Sequence, residues 1–212
     1  MENIYIIFFI KIIIFYLILN FRHNYINFYE NKNIKKELNL IFNKLDQRIS
    51  SNKNINPKKI FQTYMDKKKI PDKVNKNFQK YAKGYERVIY DDKDALRFLQ
   101  DNFGVMFVKK FKSMKSGAHK ADLLRYCYLY VNGGIYIDIK TELLEDLDVI
   151  IKERKNKLYT VLFFLNKYNF TKYFKSVFQG FIAVPPKNFF IKEIIYKFMY
   201  LNNLFIYLPF RI

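Results

Sequence analysis

Cysteine occurs once in the 212 residues, as Cys127, which excludes an internal disulfide framework and a four-cysteine zinc site. Histidine occurs twice, at His23 and His119, and this argues against a histidine-rich metal centre. Acidic residues are half as many as basic ones, 19 against 38, leaving a formal charge of +19. Alanine is scarce, while Ile, Lys, Asn, Phe and Tyr dominate, as an AT-rich coding sequence would produce wherever selection is loose. The lysine excess therefore reads first as drift on solvated surfaces and second as the mark of an anionic partner. Wholesale disorder is excluded by a composition that is 50% hydrophobic and 19% aromatic. The length suits one α/β domain with a real core, not two full domains and a linker. No internal repeat is visible.

Residues Ile4 to Phe21 are apolar except for Lys11 and Asn20. As a helix this run spans about 27 Å, enough for a thin bilayer. Lys11 would add about 2.5–3.5 kcal/mol to insertion, which the surrounding Ile, Leu and Phe offset. No small-residue cleavage site follows, so the reading is an uncleaved single membrane anchor; the alternative is an apolar element packed on the domain. Arg22, Lys32, Lys35 and Lys36 follow the run and by the charge rule keep the C-terminal side cytoplasmic. Asn31 to Pro57 is polar, with one amphipathic stretch, Leu38-Ile41-Leu45-Ile49, spaced as a stem helix. Ser50 to Pro57 reads as a linker.

Beyond it, strands are expected at Lys59–Tyr64, Tyr85–Tyr90, Ile135–Ile139, Leu158–Leu165 and Gly180–Val184. Helices are expected to follow Ile70-Pro71, to cover Asp94–Phe103 with Gly104 as stop, to run from an N-cap at Ser116 through Tyr130, and to close the chain over Phe189–Asn202. Strands alternating with helices predict an α/β class with a mostly parallel central sheet. Ligands in such sheets sit beyond the carboxyl ends of the strands, here Gln62-Thr63-Tyr64, Asp91-Asp92 and Asp138-Ile139-Lys140.

One block carries most of the chemistry. Asp122 and Arg125 are three apart on one helix face, and the Gly133-Gly134 reversal returns the chain so that Asp138 approaches the helix start. Two carboxylates and a guanidinium around one small volume suit a sugar, whose hydroxyls each need a donor or an acceptor in fixed geometry. On spacing alone, a surface Asp122–Arg125 pair worth at most about 0.5 kcal/mol explains the same residues.

Several segments, in order, resemble glycosyltransferase family 32, the glycosyltransferases with a DXD-containing sugar-binding region. These relatives include initiation-type mannosyltransferases and are similar to the glucosylating clostridial toxins. Lys59-Ile60-Phe61-Gln62-Thr63-Tyr64 resembles the family's I-H-Q-T-W strand, with Ile70-Pro71 at its following I-P. Gly84-Tyr85-Glu86 to Tyr90-Asp91-Asp92 resembles G-Y-E…Y-D-D. Ala118 to Tyr126 resembles A-x-x-S/A-D-x-x-R-Y, and Gly133 to Asp138 resembles G-G-x-Y-x-D. Gln179-Gly180-Phe181-Ile182 with Pro185-Pro186 resembles a later strand.

The resemblance implies a GT-A nucleotide-sugar-binding fold over residues 58–212, behind an anchor at 1–23 and a stem at 24–57. It implies a retaining hexosyl transfer from a UDP- or GDP-hexose to a glycan or glycolipid acceptor. Donor contacts would come from Gln62, Thr63, Tyr64, Asp122, Arg125 and Tyr136, with Tyr64 stacking on the base. Asp138 would contact the ribose or a metal-bound diphosphate. The family habit is residence in the secretory pathway, where Asn169-Phe170-Thr171 would be a glycosylation sequon.

Two departures stand out. Phe61 replaces the family's His, and the D-x-D pair reads Asp138-Ile139-Lys140. The second acid normally ligates Mn²⁺ or Mg²⁺, which an ammonium cannot do. As a continued strand, period two would put Asp138, Lys140 and Glu142 on one face, and three readings stay open: Glu142 joins Asp138 as metal ligand; Lys140 itself neutralises the leaving diphosphate as a catalytic group; or the enzyme is inactive. The chain ends at Ile212, soon after the Gly180 strand, so either a fragment or a C-terminally short version of the fold is expected. Nucleic-acid binding by the scattered lysine runs at Lys58-Lys59, Lys67-Lys68-Lys69 and Lys109–Lys115 has no accompanying motif and is not expected.

Overall fold

The computed structural model describes residues 32–49, 55–165 and 174–200. The expected anchor and the sequon at Asn169 lie outside them. Among the described residues no helix is long and apolar enough to cross a membrane. The chain divides into two units, Met1–Leu40 and Ile41–Ile212. In the first, residues 32–40 are helical. Everything below concerns the second.

Its five strands are β1 (Lys59–Thr63), β2 (Glu86–Tyr90), β3 (Gly134–Ile137), β4 (Tyr159–Leu165) and β5 (Phe174–Val184), in the order β2-β1-β3-β5-β4. Strand β1 pairs in parallel with β2 and with β3, whereas β5 is antiparallel to both β3 and β4. The sheet is thus half parallel, and the expectation of a mostly parallel sheet is corrected. The reason lies in the connections. A parallel neighbour needs a crossover of a dozen residues or more, usually helical. Helix α2 (Asp72–Tyr81) carries the β1–β2 crossover, and α3 (Asp92–Phe103), α4 (Val105–Ser113) and α5 (Gly117–Asn132) lie between β2 and β3. After β3 the only helix before β4 is the single turn α6 (Leu147–Ile150), and no described helix separates β4 from β5.

Period-two alternation sorts the strand residues between two cores. Ile60, Ile135 and Ile137 face one side, with Phe78 and Ala82 at the end of α2 and with Leu143, Leu147 and Ile151. Phe61 and Tyr136 face the other side, where Phe61 stacks on Tyr128 of α5 at 3.8 Å and 4°. Helix α5 is buried without interruption from Leu123 to Tyr130, as befits a helix at the centre of a domain. Helix α7 (Phe189–Tyr200) packs beside it, with Phe198 against Tyr126 at 5.7 Å.

Residues 41–48 form helix α1, so the compact unit begins ahead of residue 58, where composition drew the domain. Phe42 is fully buried and meets Tyr130 edge-on at 4.8 Å and Tyr196 in a stack at 5.1 Å. Asp46 accepts hydrogen bonds from Tyr130 Oη at 2.5 Å and from Lys192 Nζ at 3.2 Å.

Asp91 starts α3 with a reciprocal capping box: its carboxylate accepts from the amides of Lys93 and Asp94, while the Asp94 carboxylate accepts from the Asp91 amide. Gly104, at φ +80°, ends α3 and at once begins α4, a helix that the sequence reading left out. The reversal into β3 needs both of its glycines. Gly133 and Gly134 have φ of +65° and +102°, and a Cβ at Gly134 would lie 2.7 Å from the Lys59 carbonyl oxygen of β1.

Candidate functional site

Because β2 and β3 both run parallel to β1, the carboxyl ends of all three open on one edge of the sheet. A cavity of about 620 Å³ lies there, a size common for small-molecule sites. Thr63 and Tyr64 line it after β1, Asp91 and Asp92 after β2, and Asp138, Ile139 and Lys140 after β3. The first three turns of α5 supply Gly117, Lys120 and Arg125, and Tyr136 completes the wall.

Arg125 is the hub. Only 5% exposed, it places one terminal nitrogen 2.7 Å from Asp122 Oδ1 and 3.9 Å from Asp138 Oδ1, and donates from the other to the Gln179 carbonyl of β5. Its guanidinium carbon lies 4.3 Å from the centroid of the Tyr136 ring. Its buried Nε has no hydrogen-bond partner. A charge so deeply desolvated is held by charged and dipolar partners together, so the surface-pair reading of Asp122 and Arg125 does not apply. Burial pushes the Asp122 carboxyl above its ordinary range, against the opposing pull of Arg125 and His119.

Tyr136 donates to Asp138 Oδ1 at 2.6 Å and lies 3.5 Å from Thr63 Oγ1. Burial, more than the neighbouring carboxylate, raises its hydroxyl well above the ordinary tyrosine range, so it stays protonated and keeps donating. Asp138 is 43% exposed towards the opening, and its amide donates to the Gly180 carbonyl at 2.9 Å.

Two expectations need correction. Gln62 lies on the strand face opposite Phe61 and Thr63. It is fully buried, donating to the Ile137 carbonyl at 3.0 Å and accepting from Arg87 Nε at 2.6 Å. It holds β1, β2 and β3 together and does not line the cavity. Next, β3 stops at Ile137, and Thr141 N–H donates to the Asp138 carbonyl at 2.9 Å, so residues 138–141 form a turn. The period-two argument that put Asp138, Lys140 and Glu142 on one strand face therefore fails. Lys140 lines the cavity all the same, whereas Glu142 is exposed and does not.

One open reading concerns Mn²⁺ or Mg²⁺, which a protein holds through one or two carboxylates together with substrate phosphates and water. Asp138 already accepts from Tyr136, Asp91 caps α3, and Asp92 meets Lys120 at 2.9 Å. With Lys140 standing where a second acid would be, Asp138 is left as the motif's one carboxylate towards a divalent cation, and an ammonium shares its cavity.

Sequence reasoning noted Asp91 and Asp92 only as a strand end and assigned Lys120 no role, although Lys120 stands inside the same motif as Asp122. It missed Gly180 as well. A Cβ there would lie 2.7 Å from Asp138 Oδ2, a contact between elements far apart in the chain that no local pattern announces.

Comparison with known proteins supports the family resemblance described above. A family model described as "Glycosyltransferase sugar-binding region containing DXD motif" matches residues 22–157. An uncharacterized glycosyltransferase of Acanthamoeba polyphaga mimivirus is 27% identical over 131 residues, which are 62% of this chain and 49% of that protein. The initiation-specific alpha-1,6-mannosyltransferase of Saccharomyces cerevisiae is 29% identical over 116 residues, 50% of this chain and 24% of that one. The matched stretches therefore span half or less of either relative's length. No solved structure matches.

Proposed function

The chain belongs to the glycosyltransferase sugar-binding-region family that contains the DXD motif, and from that membership we propose that it binds a nucleotide sugar in this cavity and transfers the hexose. The observation that carries the proposal is the Asp122–Arg125–Asp138–Tyr136 cluster, its Arg125 and Tyr136 buried and its Asp138 open to the cavity, at the carboxyl ends of three mutually parallel strands. The half-parallel sheet, with its site at that edge, supports a GT-A-like assignment.

In this reading Asp122 and Arg125 hold hydroxyls of the donor hexose, where a missing partner would leave a buried charge unsatisfied. Tyr64, half-buried at the cavity wall, offers a ring face to the base. Asp138, oriented by Tyr136, meets the ribose or the sugar-proximal end of the diphosphate. The bond from the anomeric carbon to the β-phosphate oxygen breaks, and its electron pair leaves on the nucleoside diphosphate. An acceptor hydroxyl bonds to the anomeric carbon from the same face, with retention, and its proton passes to the departing phosphate oxygen. The acceptor is a hydroxyl of a glycan or glycolipid. Residence in the secretory lumen behind an anchor at 4–21 belongs to the same proposal, and glycosidase-sensitive mass at Asn169 tests it.

A panel of UDP- and GDP-hexoses, assayed for donor hydrolysis and transfer, tests the function. Turnover of one donor that is lost in Asp138→Ala supports it. A second reading, a nucleotide-sugar-binding relative without catalysis, is favoured by Lys140 in place of the second acid. Donor binding without turnover at any metal concentration would select it.

A further inference from the structure

The nucleoside diphosphate leaving group carries two to three negative charges, and a transferase must stabilise the charge that builds on it. In a site with two acids, a divalent cation supplies that stabilisation. Here only one acid of that pair is present, and the same cavity presents two ammonium groups from different elements. Lys140 stands in the turn after β3, two residues from Asp138, and among the described residues no carboxylate pairs with it. Lys120 stands in the first turn of α5, its ammonium 2.9 Å from Asp92 and 5.2 Å from the centre of the Phe111 ring. Both contacts hold Lys120 beside the cavity. The amino end of α5 opens on the same space, with no side-chain cap from Ser116, which adds positive potential.

We propose that Lys120 and Lys140 together bind the diphosphate of the donor, so that this chain holds its nucleotide and stabilises the leaving group without a divalent metal. Lys140 is the cation that replaces the ion, and Lys120 is a phosphate-binding residue that exchanges Asp92 for a phosphate oxygen. The inference rests on the donor-site reading above and extends it. It assigns Lys120 a role that its motif does not announce. A metal at Asp138 would also sit close to the Lys140 ammonium, and two like charges at such range repel.

Calorimetric titration of the full chain with UDP and GDP, and with uridine and guanosine, in chelator and in excess Mn²⁺, tests it. The expected result is diphosphate binding in chelator that Mn²⁺ improves less than threefold. Lys140→Ala and Lys120→Ala should each weaken diphosphate binding about tenfold or more while leaving nucleoside affinity unchanged. Lys83→Ala, an exposed lysine outside the cavity, should match the parent. If the parent binds diphosphate only with Mn²⁺ and Lys140→Ala behaves like the parent, the lysine pair is wrong and the donor site stands. If the folded chain binds no nucleotide or nucleotide sugar under any condition, the donor-site reading falls, and this inference with it.

Discussion

Gly180 and Asp138 stand so close that no side chain fits between them: a Cβ at Gly180 would lie 2.7 Å from Asp138 Oδ2, while the Gly180 carbonyl accepts the Asp138 amide at 2.9 Å. Strand β5 thus holds the Asp138 backbone and leaves room for its carboxylate. Gly180→Ala must displace both that carboxylate and the edge of the Phe178 ring, which the new Cβ would also meet. Overpacking of this kind costs about 1–3 kcal/mol of stability. Denaturant melts should show that loss, and donor affinity should fall at least about tenfold through Asp138. Unchanged donor affinity in a destabilised variant would mean that the carboxylate's position is immaterial to binding.

Arg125→Lys keeps the charge and loses the fork that reaches Asp122 and the Gln179 carbonyl at once. Asp122→Asn keeps the shape and loses the charge that balances Arg125. Each should lower kcat/KM by the equivalent of about 2 kcal/mol or more, as expected for buried charged hydrogen bonds. Circular dichroism should show both variants folded. Full turnover of the true donor by both variants would remove these residues from the sugar pocket.

Phe61→His should destabilise this chain. Phe61 is fully buried, stacked on Tyr128 and edge-on to Tyr90 at 5.2 Å. An imidazole there buries polar nitrogens among aromatic rings, at about 1–3 kcal/mol. Urea titration of the two proteins gives the difference directly. A variant as stable as the parent would show that the stack tolerates a polar ring.

Asp148 accepts hydrogen bonds from Lys58 at 2.6 Å, from Tyr85 at 2.8 Å and from Arg154 at 2.8 Å, joining the segments before β1, β2 and β4. The Lys58 hydrogen bond, then that of Tyr85, holds its carboxyl down at about 2. An unfolded aspartate titrates near ~3.9. A depressed folded value means that the unfolded chain takes up the proton first. The contribution to stability is therefore complete above about pH 4 and is lost as pH falls through about 2. Asp148 is half exposed, so solvent screening keeps the effect small. Thermal melts across that window should show a shallower acid decline for Asp148→Asn than for the parent. Parallel curves would mean that the network contributes nothing.

The amino-acid order by itself determined the elements and the stretch that carries the site. Apolar runs bounded by Gly, Pro and Asp announced β1, β2, α3, α5 and α7 to within a few residues, because those signals act within one turn of helix or a few residues of strand. Asp122, Arg125, Tyr136 and Asp138 were legible because a helix, a double-glycine reversal and a strand bring them together within 17 residues of chain. Tertiary structure decided what depends on neighbours remote in sequence. Only pairing with β3 turned β5 antiparallel, and only the strand alternation around Phe61 sent Gln62 into the core and away from the cavity. Helix α4 hid behind Gly104, whose positive φ lets one helix end and the next begin without a loop to mark the join. Lys120 and Lys140 meet one cavity for the same reason. A helix start and a strand end become neighbours only when the sheet between them has formed, and the charge pattern along the chain carries no trace of it.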